Sequence, residues 1–212
     1  GHMDALALVD TFGVLSPHAV QFFVRAVKAK FPDTRLETHF HQDFGMGVAN
    51  TILALAEGAE VVHSTVLGLG ERAGNAPTED TVMALLTMYD IDCGLNYEKL
   101  YPLAKMVQEI AKVDVPSNRS VVGDSVFKVE SGIIANWFRN CGTEYQTELF
   151  PFRPEFVGQE SATVVMGKGS GIDSIKIWLE KFQIQATDEQ AQAILMAVKA
   201  KGSDTSRLLT DE

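Results

Sequence analysis

The chain has 212 residues, 46% hydrophobic and 22% charged, which is enough apolar material for one sizeable core and a smaller satellite. Against 28 acidic side chains stand only 18 basic ones, a formal net charge of −10. Repulsion therefore disfavours nucleic acid and anionic membrane as partners, and an anionic substrate would need a metal or local donors.

Ala5-Leu6-Ala7-Leu8-Val9 is a short apolar run ending at Asp10-Thr11-Phe12-Gly13, the pattern of a buried parallel strand with polar groups at its C-terminal end. Ser16-Pro17 then supplies an N-cap and a first-turn proline for a helix whose face is Val20, Phe23, Val24 and Val27. Pro32-Asp33 breaks that helix and leads to a strand through His39. Gly47 to Glu57 is a small-residue helix with Gly58 fitting its C-terminal cap. Val61 to Val66 is a third strand, followed by the glycine-rich turn Gly68 to Asn75. Thr78 is expected to cap a helix over Glu79–Asp90 that Cys93-Gly94 ends. Tyr97 to Val113 is an amphipathic helix whose stripe, Leu100, Leu103, Met106, Val107 and Ile110, is expected to pack in a core. Further helices are expected over Ile172–Phe182 and Thr187–Lys201, with a frayed end over Gly202–Glu212. Strand, helix, strand, helix, strand is the order of a parallel α/β sheet.

Polar residues collect at the C-terminal ends of all three strands. His39 and His41, at i and i+2, project from one face of a strand, and the glycine-rich turn could aim the Asn75 amide oxygen at the same point. Two neutral imidazoles plus an amide oxygen fit a Zn, Mn or Mg site with open positions. A half-buried strand with hydrogen-bonded histidines would account for His-x-His alone.

The combination HFHQDFGMGVAN, a following βα unit and GLGERAGNA resembles the pyruvate-carboxyltransferase-like metal enzymes. That group holds isopropylmalate, homocitrate and citramalate synthases together with hydroxymethylglutaryl-CoA lyase. The resemblance implies that His39, His41 and Asn75 bind a divalent metal. It also implies that Asp10-Thr11-Phe12-Gly13 matches a DTxG motif whose threonine, Thr11 here, contacts the substrate carboxylate. Gln42 stands where the family has Asn. The GERAGN form looks more like the synthases than the lyases.

On this resemblance the fold is α/β. The last three βα units of a TIM (β/α)8 barrel occupy residues 4–92, with a helical subdomain over 93–148 and a small α-rich subdomain over 149–212. The chain is then a C-terminal half, and the first five barrel strands lie outside it, with a fourth metal ligand and a catalytic carboxylate. An exposed edge strand near Val9 and an unclosed sheet lead to the expectation of a homodimer or of a partner chain supplying the missing strands.

The segment Phe127 to Ile134 resembles the synthase motif HESGIH, but its two histidine positions are Val129 and Ile134. Leu149 stands at the tyrosine of the linker motif YxPxxPxxVG. Isoleucine cannot transfer a proton. Glu130, or Lys128, could substitute as the acid/base group; a surface pair or a helix N-terminal anion is the structural alternative. Met166 to Gly171 resembles the family's GKxSG turn and lacks the order of a Walker A loop.

The leading functional reading is a fragment or subunit of a metal-dependent acyltransferase condensing acetyl-CoA, as co-substrate, with a 2-oxo acid. An aldolase or lyase cleaving a carbon-carbon bond through the same metal is the rival, and a non-catalytic partner subunit is the third reading. Cys93 and Cys141 have no Cys-x-x-Cys spacing and read as free thiols in a reducing cytoplasm. Gly1-His2-Met3 reads as a cloning scar with no signal peptide or long apolar run after it, so His2 is set aside from metal chemistry.

Overall fold

The computed structural model describes residues 3–209; Gly1 and His2 of the expected scar and Thr210–Glu212 of the expected frayed end lie outside the described residues. Three parallel strands open the chain: β1 (Ala5–Asp10), β2 (Arg35–Phe40) and β3 (Val61–His63), in the order β1-β2-β3. The crossovers are α1 (Pro17–Lys30) and α2 (Gly47–Ala56). Leu8, Val9 and Asp10 stand beside Thr38, His39 and Phe40, and His39 stands beside His63.

Period-2 alternation divides the sheet into two unlike faces. Leu8, Leu36 and Phe40 point to the helices and form a core with Val20, Val24, Ala54 and Ala59. The other face carries Ala7, Val9, Arg35, Glu37, His39 and His63, all exposed or half-buried. As expected, Ser16 caps α1 by accepting from the Ala19 N–H at 3.3 Å, with Pro17 in the first turn, and Lys28 and Lys30 oppose the dipole in the last. Gly58 follows α2 with φ +101°.

α3 (Thr78–Tyr89) differs in its ends from the sequence reading. Pro77 occupies the N-cap, because the Thr78 hydroxyl is turned toward Ser64 Oγ at 2.9 Å. Asp90, left-handed at φ 57°, ends the helix ahead of Cys93. A 3-10 turn at Tyr97–Lys99 leads into α4 (Leu100–Ala111). The expected core stripe on α4 is only partly buried: Leu100 is 6% exposed, but Met106 is 57% and Ile110 is 74% exposed. Burial is greatest at the N-terminal end of that stripe, with Val107 half-buried further along.

The chain separates into two compact units. One runs through Val115 and takes in Ser120–Val122; the other holds Pro116–Arg119 and residues 123–209. The boundary expected near residue 93 falls inside the first unit, because α4 packs on the turn at Val66–Gly68.

The second unit contains α5 (Gly132–Cys141), α6 (Ile172–Lys181) and α7 (Asp188–Thr205), plus a two-stranded parallel sheet of β4 (Lys128–Val129) and β5 (Thr163–Val164). Ile175, Ala191, Leu195 and Val198 form one apolar cluster, and Val129, Ala135 and Val164 another. The helix starts of α5 and α6 touch through glycine: a Cβ on Gly132 would lie 2.6 Å from Gly171 Cα. The end of α7 is anchored where fraying is expected. It continues to Thr205, Gly202 packs against the Lys168 backbone, and the Leu209 N–H donates to Met166 O at 2.8 Å. No helix among the described residues is long and apolar enough to cross a membrane.

Candidate metal centre

Just past the end of β2, the chain keeps its alternation for one more pair, so Glu37, His39 and His41 share a face. The turn after β3 then comes back to meet it. His41 and Asn75 form an isolated antiparallel bridge, with the Gln42 N–H donating to Gly74 O at 2.9 Å and the Ala76 N–H to Phe40 O at 3.0 Å.

Glycine makes that return tight enough. A Cβ on Gly74, whose φ is +86°, would lie 1.9 Å from Gly68 O, and one on Gly70 would lie 2.5 Å from Asn75 Nδ2. Below the turn, Glu79 is 2% exposed and accepts the Leu67 N–H at 3.0 Å, pinning a residue held at φ 59°.

His39 Nε2 and His41 Nε2 are 3.3 Å apart. One tautomer makes this a hydrogen bond; the other leaves two lone pairs facing one space. Two nitrogens each about 2.0–2.1 Å from a single divalent ion stand less than about 4.2 Å apart, so this spacing admits joint ligation. Asn75 donates Nδ2–H to Leu69 O at 3.2 Å, which fixes the amide, while its Oδ1 is buried without a partner. An orphaned buried acceptor costs about 1–3 kcal/mol until something engages it. His41 Nδ1 is likewise buried and unpartnered, although a ligating imidazole usually gives its second nitrogen to an outer acceptor. Among the described residues no three His, Cys, Asp or Glu side chains gather into a metal-holding group; the donors available here are two imidazoles 3.3 Å apart and a buried, unpartnered amide oxygen on the residue bridged to His41, a nitrogen and oxygen set of the kind a divalent ion takes.

Burial, and then repulsion from the His41 and His63 imidazoles, holds His39 below the ordinary histidine range, which favours its neutral form. His63, ring centroid 5.8 Å from His39, pairs with Glu37 through Nε2 and Oε2 at 3.0 Å. That hydrogen bond is the main cause of the lowered Glu37 pKa, with burial opposing it and Arg35 adding to it.

Thr11 is exposed at the end of β1, beside an open groove of about 370 Å³ lined by Val9, Asp10, Thr11, Phe12, Leu15 and Phe23. Asp10 is spent on its own loop: its two oxygens accept the Val14 and Leu15 N–H at 3.1 and 2.9 Å. Gln42, the departure from the family's Asn, caps α2 by accepting the Gly47 N–H at 2.7 Å.

Sequence reasoning missed Asp43 and Arg72. Arg72 Nε and Nη2 meet the two Asp43 oxygens at 2.7 and 3.0 Å, and Nη2 also donates to the Thr11 carbonyl. The hydrogen bond from Arg72 is the first cause holding the Asp43 carboxyl below its usual range. Opposite charges at the C-terminal ends of neighbouring strands were the signal that could have found the pair.

Glu130 is in the other unit, and its Oε1 accepts the Gly169 N–H at 2.8 Å in a recess left by Gly167 and Gly169. Ile134 packs with Val129, Ala135 and Val164, and Leu149 is half-buried.

Both parts of the chain resemble known families. Residues 3–107 match the HMGL-like family and residues 121–206 the homocitrate synthase post-HMGL domain-like family. A homocitrate synthase of Methanothermobacter thermautotrophicus is 35% identical over 99% of this chain and 52% of its own length. A 2-isopropylmalate synthase of Methanocaldococcus jannaschii is 34% identical over 98% of this chain and 40% of its own. The chain therefore spans about half or less of the curated relatives it matches. Among solved structures, hydroxymethylglutaryl-CoA lyase from Pseudomonas aeruginosa aligns with a TM-score of 0.50 and 29% identity, over 58% of this chain and 42% of that one.

Proposed function

We propose that this chain, an HMGL-like domain followed by a homocitrate synthase post-HMGL domain-like region, is the C-terminal part of a cytoplasmic, metal-dependent acyltransferase that condenses acetyl-CoA with a 2-oxo acid. Its three strands are the end of a (β/α)8 barrel, and the remaining strands come from another segment or chain. The observations that carry the reading are the 3.3 Å approach of His39 Nε2 to His41 Nε2, the backbone bridge that sets Asn75, with its buried unpartnered Oδ1, opposite His41, and relatives named as synthases of this class.

His39, His41 and Asn75 would hold a Zn, Mn or Mg type ion. When bound, such an ion acts as a Lewis acid on the 2-oxo carbonyl. The Thr11 hydroxyl, exposed at the C-terminal end of β1, takes the substrate carboxylate. Acid/base work is the open place in the site. Glu130 is a candidate by charge, but its carboxylate is already engaged by Gly169.

One observation favours the lyase reading. Ile134 sits in an apolar cluster, and neither it nor Leu149 can move a proton, so the pair expected for condensation is lacking here. Carbon-carbon cleavage through the same ion is then the rival.

The test begins with metal content and molar mass of the purified chain, alone and with His39→Ala/His41→Ala. One divalent ion per site, lost in the double variant, supports the reading; unchanged metal content removes it. Thiol release from acetyl-CoA with 2-oxo acids, measured against retro-aldol release of pyruvate, then separates the two chemistries in the complemented protein.

A further inference from the structure

Three loops follow the three strands, and one side chain touches all of them. Arg72, in the loop after β3, grips Asp43 after β2 through two parallel hydrogen bonds, at 2.7 and 3.0 Å. The same Nη2 donates to the carbonyl of Thr11 after β1, and the guanidinium carbon lies 5.6 Å from the Phe12 ring centroid. Each loop it holds carries one group of the proposed site. Thr11 is held directly, His41 is two residues before Asp43, and Asn75 is three residues after Arg72.

The backbone is shaped to allow this contact. Arg72 has φ 57°, a left-handed conformation that few non-glycine residues adopt and that persists where the surroundings over-determine it. Gly13 has φ +60°, and a Cβ there would lie 3.0 Å from both the Asp43 backbone nitrogen and its Oδ2. The β1 loop thus approaches Asp43 only because residue 13 lacks a side chain.

We infer that Arg72 is a positioning residue: through Asp43 and the Thr11 carbonyl it holds the three loops in one register and so sets Thr11, His41 and Asn75 relative to each other. The metal half of this inference rests on the reading of the site given above; the loop half does not. A planar fork is required, since two parallel bonds to a carboxylate and a third to a carbonyl need donors fixed in one plane. Lysine keeps the charge and loses the fork.

The test compares the full chain with Arg72→Lys, Arg72→Ala and Asp43→Asn by two readouts. Amide hydrogen exchange is followed over residues 10–15, 41–46 and 68–76, with α1 and α2 as internal controls. Co2+ is titrated by its visible absorption, which reports coordination as well as occupancy. The inference expects Arg72→Lys to raise exchange in all three loops together while the helices keep their protection. It expects Co2+ affinity to fall about tenfold to a hundredfold, the usual effect of losing an outer partner, with an altered spectrum. The double variant Asp43→Asn/Arg72→Lys should exchange no faster than either single one.

Faster exchange confined to residues 68–76, or an Arg72→Lys protein that matches the parent, overturns the inference. A parent chain that takes up no Co2+ overturns the metal reading, and the exchange data still decide the clamp. If Arg72→Ala fails to fold, Asp43→Asn, which keeps the side-chain shape, carries the same test.

Discussion

His41 and Asn75 face each other across a single antiparallel bridge at the end of an otherwise parallel sheet. The bridge sets Asn75 directly opposite His41 without any strand running in that direction. Because its backbone bonds belong to Gln42, Gly74, Phe40 and Ala76, Asn75→Ala is expected to leave the bridge in place. Metal affinity should fall at least about tenfold while the thermal midpoint moves little, as read by Co2+ titration beside a thermal melt.

Two neighbouring glycines should give contrasting results. Gly70→Ala brings a methyl to 2.5 Å from Asn75 Nδ2, which displaces the amide and costs about 1–3 kcal/mol; a folded protein with weakened metal binding is expected. Gly74→Ala meets the Gly68 carbonyl at 1.9 Å with φ at +86°, so chemical denaturation should show the larger loss of stability.

The carboxylate of Glu130 offers a direct choice between roles. Glu130→Gln keeps an acceptor oxygen for the Gly169 N–H and loses the charge. A carboxylate that holds the Gly167–Gly171 turn tolerates this change, with unfolding midpoint and turnover both near the parent's. Loss of turnover at unchanged stability would make Glu130 an acid/base group.

Tyr97 carries a pH dependence of stability. Burial raises its phenol above the ordinary tyrosine range, with Asp92 adding to the shift. The folded state therefore holds this proton more tightly than the unfolded chain does. The contribution is fully present below about pH 10, the unfolded value, and is lost as pH rises through the folded value. Tyr97→Phe should flatten that alkaline loss in denaturation series run across this range.

Along α4 the burial gradient predicts unequal costs. Leu100→Ala should destabilise by about 2–5 kcal/mol, whereas Ile110→Glu, at a position 74% exposed, should stay within about 0.5 kcal/mol. Parallel urea melts of the two variants would check the contrast.

Much of this was legible in the sequence, for physical reasons that differ by element. The apolar run before Asp10, the Ser16-Pro17 start and the His-x-His spacing are local signals, and each strand and helix they mark is present. The nearness of Asn75 to His41 was legible only through the motif, since no periodicity foretells an antiparallel return. The Arg72–Asp43 pair spans 29 residues, beyond any local pattern. α4 misled because amphipathicity reports that a helix has an apolar face and not what lies against it. The two-residue strands β4 and β5 are too short for an alternation signal.

Spatial order in the first sheet repeats chain order: β1, β2, β3. Each strand therefore docks on the one made just before it, and loop closure spans only one crossover at a time. Contact order within this unit is kept low for a parallel sheet. A ribosome releasing the chain from its N-terminus presents the pieces in the sequence in which they add. The sheet can grow during synthesis in one direction, with its last addition, the Gly68–Asn75 return, closing on His41 only after the surface that receives it has formed.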